Sequence, residues 1–314
     1  MSGPVTADDA APGEAGCGHP DEPEVEVTPS REASVGGVAV RRALPRRTRR
    51  TVGAWCFADH FGPVAARAAG AADRGMEIGP HPHTGLHTVT WLVEGELLHR
   101  DSLGSEQLIR PGQLNLMTAG GGVSHAEETP ARWEGRQHGI QLWVAQPDAT
   151  RHGPPAFEHH AELPAVGLGA ATATVLVGAI GGAASAARAD TPLLGAELAA
   201  TGAGGPAEVP LDPAHEHALV VLAGAVGVGD ARVEPGRLAY LGQGRDSLAI
   251  VLEEGARALL VGGRPFGEDI VMSWNFVGRT RDEMARDAAD WNAGADRFGT
   301  VASPLARIAA PAPR

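Results

Sequence analysis

Residues 81–128 read HPHTGLHTVTWLVEGELLHRDSLGSEQLIRPGQLNLMTAGGGVSHAEE, and the fold of the chain turns on them. The stretch divides into short runs suited to strands: Thr88–Val93, Glu96–Arg100, Gln107–Ile109 and Gln113–Met117. Glu94-Gly95 and Arg110-Pro111-Gly112 separate these runs. Such residues stop strands because glycine supplies positive φ and proline removes a backbone donor. Many short strands with turns at close spacing predict an all-β sandwich or barrel. The two ends of the stretch carry its chemistry. His81 and His83 are two apart, so in a strand both imidazoles face one side and Pro82 faces the other. His125 and Glu127 repeat that spacing with an imidazole and a carboxylate.

The same texture extends in both directions. Apolar periodicity starts near Val25, firms at Val35–Val40 and runs to about Trp143. A second β-like region follows, and its punctuation matches the first. Glu234-Pro235-Gly236 mirrors Arg110-Pro111-Gly112, and Leu222-Ala223-Gly224 echoes Val93-Glu94-Gly95, which predicts a duplicated fold. The expected organisation is a disordered tail over 1–30, a first barrel with the site over 31–147, and a proline-containing linker over 148–165. A second barrel with a short helix follows over 166–295, and a loose tail over 296–314. The helix is expected over Thr280–Asp290, with Thr280 as N-cap and Glu283 three residues on.

Of the 314 residues, 43% are hydrophobic, enough for a real core, and the net charge of -12 disfavours a nucleic-acid surface. All 26 basic residues are arginine, which weakens any argument from a single one. Two cysteines, Cys17 and Cys56, are too few for a disulfide framework and fit a reducing, cytoplasmic setting. No apolar run is long enough to span a membrane, and the acidic start does not resemble a secretory signal.

Two same-face pairs on neighbouring strands would gather three nitrogens and one oxygen: His81, His83, His125 and Glu127. Such a set leaves one or two positions open on a five- or six-coordinate ion. It suits iron(II), manganese, nickel, copper(II) or zinc, with no thiolate to select a soft ion. A lone H-x-H would carry little, since 13 residues are histidine and a second one occurs at His215 and His217. Downstream of that second pair, where His125 and Glu127 would recur, residues 241–247 read LGQGRDS, with no histidine. The second barrel is therefore expected to hold no metal and to serve packing. Gln141 and Trp143 alternate on a strand and either line a cavity or pack in the core. Gly120–Gly122 precede neither a helix nor a lysine, so they read as a tight turn rather than a phosphate cradle. Arg41, Arg42, Arg46, Arg47, Arg49 and Arg50 read as a nucleic-acid or partner patch, or as charges on a solvated edge strand that discourage edge pairing.

The quoted stretch resembles the pirin family, a branch of the cupins. VGAWCFADHFGP at Val52–Pro63, GIQLWV at Gly139–Val144 and LLVGGRPFGEDIVMSWNFV at Leu259–Val277 resemble further pirin segments in the right order. The resemblance implies two tandem cupin-type jelly-roll barrels with iron in the first. It implies His81, His83, His125 and Glu127 as ligands, and a second barrel that closes off the mouth of the first. It places Asp59 and His60 in a loop near the site; the other reading of these two is a turn capped by side chains. One position departs from the family: many pirins carry Glu four residues after the second histidine, where this chain has His87. If the strand runs unbroken, His87 shares the face of His81 and His83 and lines the cavity; if Gly85 breaks the register, it sits at a strand end.

Two functions are compatible with this resemblance. One is an iron(II) dioxygenase that opens flavonols such as quercetin with O2, in which Glu127 accepts a substrate proton. The other is a regulatory protein that binds a protein partner according to the metal's redox state. The same four ligands serve both.

Overall fold

The strand Leu86–Glu94 shows how the chain packs. Val89 and Trp91 turn into a core shared with the second half, while Leu92 turns into the interior of the first. The strand Gly135–Ala145 does the same, with Ile140, Leu142 and Val144 toward the shared core and Gln141 and Trp143 toward the interior. Each strand is thus apolar on both faces, as a sheet covered on both sides requires.

The computed structural model describes residues 24–67 and 74–311. Each half is a seven-stranded sheet facing a four-stranded one. In the first half the larger sheet runs Ala156–His160, Leu114–Thr118, Leu86–Glu94, Gly135–Ala145, Trp55–Ala66, Val38–Leu44, Arg31–Val35. The smaller runs Glu77–His83, Val123–Glu128, Leu97–Asp101, Glu106–Ile109. In the second half the larger sheet runs Glu26–Pro29, Arg237–Gly242, Glu216–Ala223, Arg257–Gly263, Leu193–Ala200, Ala171–Val177, Ala165–Leu168. The smaller runs Gly205–Pro210, Ser247–Leu252, Val226–Val228, Ala231–Val233. The two halves repeat one topology, as the matched punctuation of the sequence predicts. The helix Arg281–Ala293 follows, with the Thr280–Glu283 capping box in place and Gly294 in the left-handed conformation at its end. Among the described residues no helix is long and apolar enough to cross a membrane.

Four expectations are corrected. The segment 1–30 is not all tail: Glu26–Pro29 is a strand that pairs with Arg237–Gly242. Residues 148–165 are not a bare linker, because Ala156–His160 pairs with Leu114–Thr118 at the edge of the first barrel's sheet. These two strands occupy equivalent places, so each half sends its leading strand to the other half. The physical reason is edge coverage: each exchanged strand satisfies a row of backbone groups that would otherwise be left open. Nor is the end of the chain loose, since Phe298, Val301 and Ala310 are buried and the Ile308 N–H donates to the Pro80 carbonyl. The basic run does not lie on an edge strand either, because Val38–Leu44 is paired on both sides. Cys56 is a buried free thiol; Cys17 lies outside the described residues.

The two barrels are joined by one hydrophobic seam. Trp55, Val89, Trp91, Ile140 and Leu142 meet Leu176, Ala218, Val220, Leu259 and Val261 of the second half. Trp55 is fully buried, and its indole N–H is shared between the carbonyls of Leu194 and Gly262, at 3.0 and 3.1 Å. Its ring lies where a side chain at position 195 would stand, 2.9 Å from a Cβ built on Gly195. A polar tie lies beside the seam. Asp190, in the second half, accepts from His87 Nε2 (3.1 Å), Gln146 Nε2 (3.1 Å) and Thr150 Oγ1 (2.6 Å), all in the first half, and from Arg188 Nε (2.7 Å). Burial pulls its carboxyl upward, but the donors His87, Arg188, Thr150 and Gln146 outweigh it and hold the pKa well below the ordinary value.

Two outcomes follow from these joints. Trp55→Ala should cost about 3–5 kcal/mol, read from the denaturant midpoint, since it opens a cavity in the seam; an unchanged midpoint would contradict the role given to the indole. A depressed native pKa stabilises fully above the unfolded carboxyl value of about 3.9 and loses that contribution as pH falls below it. The melting temperature of Asp190→Asn should therefore lie well below that of the natural protein at pH 7, and the gap should narrow at pH 3. A gap that stays constant would show that the charge of Asp190 is not what ties the halves.

Candidate metal centre

Two adjacent strands of the first barrel's smaller sheet carry the candidate ligands. Glu77–His83 and Val123–Glu128 are antiparallel, with His125 opposite His81 and Val123 opposite His83. The period of two then brings His81, His83 and His125 to the barrel interior together. One ligand atom from each lies within 4.8 Å of the others. The rings of His81 and His125 are 4.4 Å apart, and those of His83 and His125 are 5.0 Å apart. The register between these two strands shifts between His125 and Glu127, with the extra residue on Glu77–His83. Glu127 lines the same cavity but lies outside the tight trio.

Hydrogen bonds define the imidazoles' orientation. His81 Nδ1 donates to the Gly79 carbonyl and His83 Nδ1 to the Asn275 carbonyl, both at 2.9 Å. A carbonyl only accepts, so both rings carry the proton on Nδ1 and present the Nε2 lone pair inward. His83 Nε2 and His125 Nε2 face each other at 3.1 Å. Burial lowers all three pKa values, His81 to about 4 and the other two well below the ordinary value, with neighbouring imidazoles adding to the effect. The rings are neutral donors at neutral pH. Burial also raises the Glu127 carboxyl to about 7, against a lowering hydrogen bond from Thr90. Three neutral imidazoles converging in a buried pocket, with a carboxyl in the lining of the same cavity, fit a divalent transition metal.

A cavity of about 410 Å³ opens from the site. One wall is the stacked pair Phe57 and Trp143, with ring centroids 4.0 Å apart and planes within 14°. Gln141 lines it as well, so Gln141 and Trp143 face the cavity rather than the general core. Asp59 and His60 do not form a loop; they lie in the long strand Trp55–Ala66. Alternation sends Asp59 into the cavity and His60 toward the second barrel, where its Nε2 meets His138 Nε2 at 2.8 Å. Burial, with Arg41 nearby, lowers the His60 pKa to about 2. His87 is also outside the cavity lining. The chain breaks at Gly85, with φ +66°, where a Cβ would stand 2.1 Å from the Val277 carbonyl. His87 thus begins a strand of the other sheet and bonds to Thr118 and Asp190.

Several site residues were not expected at the site from the sequence. Arg42, read there only as part of the basic run, enters the cavity and makes a two-point ion pair with Asp59, at 2.7 and 2.6 Å, with its guanidinium 4.5 Å from the Phe57 ring. Trp274 and Asn275 form the turn between Val271–Ser273 and Phe276–Gly278, beyond the second barrel, and both line the first barrel's cavity. Trp274 sits at φ +53°, a conformation that costs a bulky residue energy and is kept only where the surroundings impose it. His99 is buried beside His125, a position marked in the sequence only by Asp101 two residues later. His215 and His217 lie at the start of a strand equivalent to Leu86–Glu94, not to Glu77–His83. The strands equivalent to Glu77–His83 and Val123–Glu128 carry no histidine. The Gly120, Gly121 and Gly122 N–H groups are all used within the protein, which leaves no phosphate cradle.

Comparison with known proteins gives this architecture its family. Residues 37–144 match the pirin family and residues 199–299 the pirin C-terminal cupin domain. A Pseudomonas aeruginosa protein named "putative quercetin 2,3-dioxygenase" is 48% identical over 266 residues, spanning 85% of this chain and 82% of its own. A pirin-like protein of Caulobacter vibrioides is 37% identical over 274 residues, 84% of this chain and 92% of its own. A crystal structure of quercetin 2,3-dioxygenase from Acinetobacter baumannii superposes with a TM-score of 0.87 at 42% identity, covering 91% of this chain and 95% of that one. With both family domains matched in order, and relatives of this similarity over most of its length, the chain belongs to the pirin family.

Proposed function

We propose that this protein is a metal-dependent dioxygenase that opens flavonols such as quercetin with O2 in the first barrel. The observation that carries this reading is the union of three neutral, buried imidazoles with an aromatic-walled cavity large enough for a flat, hydroxylated ring system. Relatives that bear the name of quercetin 2,3-dioxygenase support the substrate class.

His81, His83, His125 and Glu127 would hold the ion, taken here as iron(II). When bound, it supplies Lewis acidity toward a substrate hydroxyl and the one-electron chemistry that O2 demands. The remaining work belongs to the chain. The Gly79 and Asn275 carbonyls keep two imidazoles turned inward. Phe57 and Trp143 offer a flat face to a planar substrate, and Gln141 and the Arg42–Asp59 pair offer partners for its hydroxyls. Glu127, on swinging off the ion, would take up the proton lost from the reacting hydroxyl. Met76, Ile78 and Phe61 exclude water from the reaction.

The test is O2 consumption by protein reconstituted anaerobically with iron(II), with and without quercetin, beside His83→Ala. Quercetin-dependent uptake with carbon monoxide release is expected, and the variant should fall to background. Iron-loaded protein that consumes no O2 with quercetin would refute the flavonol reading.

A further inference from the structure

His81 and His83 each fix their ring by donating to a backbone carbonyl, a partner that no side-chain substitution removes. His125 differs. Its Nδ1 has as partner the Nδ1 of His99, at 3.3 Å. The other nitrogen of His99, Nε2, lies 3.0 Å from Asp101 Oδ2. Asp101 is buried and anchored, because its Oδ1 accepts from the backbone N–H groups of Leu103 and Ser105, each at 2.9 Å. That leaves Oδ2 to face His99.

The protons can be assigned from this order. A carboxylate only accepts, so His99 carries its proton on Nε2 and its Nδ1 is a lone pair. That lone pair accepts from His125 Nδ1–H. His125 is thereby the tautomer whose Nε2 lone pair points toward His83 and the cavity. His99 does not join the trio itself, since it meets His125 on the Nδ1 side, away from the converging Nε2 atoms. Its ring is clamped by Phe157, stacked at 4.4 Å with planes 13° apart. Phe157 lies on the exchanged strand Ala156–His160.

We infer that Asp101 and His99 are positioning residues: they set the tautomer and aim of His125 and thereby the affinity of the first barrel for a divalent metal. The inference rests on reading His81, His83 and His125 as metal-holding residues. The experiment keeps the two apart. Nickel(II), which needs no protection from air, is titrated by chelator competition into the full-length natural protein and into His81→Ala, His99→Leu, His99→Asn and Asp101→Asn. Thermal melting of each metal-free protein accompanies the titration.

Leucine fills the volume of His99 without an acceptor, whereas the Oδ1 of asparagine falls near the lost Nδ1. Asn at position 101 turns an amide donor toward His99, flips its tautomer and sets two N–H groups against each other. His99→Leu and Asp101→Asn should weaken nickel binding by roughly 10–100-fold, with His99→Asn within about threefold of the natural protein. A merely structural His99 would instead lower melting in both His99 variants, with no recovery of affinity in asparagine. Unchanged affinity in His99→Leu and Asp101→Asn, with His81→Ala abolishing binding, would overturn the relay and leave the metal site standing. If His99→Leu does not fold, Asp101→Asn decides alone. Absence of nickel binding by the natural protein would overturn both.

Discussion

The indole of Trp55 reaches out of the first barrel and donates to two carbonyls on adjacent strands of the second. The seam around it gathers buried residues of both halves into one core, and the hairpin beyond the second barrel reaches back to the candidate centre. The turn of that hairpin puts the Asn275 carbonyl on His83 and Trp274 into the cavity, and Phe276 bridges to Thr84 at the end of the histidine strand. The centre sits in the first barrel, yet one of its imidazoles is oriented from beyond the second.

Charge is arranged to keep the histidines neutral. A carboxylate against any of the three would raise its pKa and tie up its lone pair. Instead, the acids near the trio are otherwise engaged: Asp59 is paired with Arg42, and Asp101 is one ring removed from His125. Glu127 has no cationic partner among the causes that shift it, and burial alone carries its carboxyl upward. The pocket presents lone pairs rather than charges, and that arrangement admits a hard or borderline cation and an apolar ligand together.

Much of this was legible in the sequence, for physical reasons that can be stated strand by strand. The period of two made the convergence of His81, His83 and His125 readable, because same-face placement needs no knowledge of tertiary structure. The duplicated turns showed the two halves, and Thr280 with Glu283 marked the helix. His87 was ambiguous because its face depends on whether Gly85 breaks the strand, and only the close approach of the Val277 carbonyl settles that. Asn275, Trp274 and Arg42 were hidden because their roles arise from contacts distant in sequence, and a turn residue far from the histidines carries no local sign of its target. Glu26–Pro29 and Ala156–His160 were misread because short strands among prolines and acids look like tails when their partners are unknown.

The exchanged leading strands bear on how the protein is made. Of the described strands Glu26–Pro29 leaves the ribosome first, yet its place opposite Arg237–Gly242 does not exist until the second barrel has been synthesised. The first barrel likewise lacks its edge until Ala156–His160 emerges, and the ring of Phe157 arrives on His99 only then. Pairings of such separation are slow to form, and an open sheet edge in the interval invites other chains. Neither half holds all of its own sheet, so synthesis of this protein has a built-in waiting period in which Glu26–Pro29 is without its native partner until the second barrel is made.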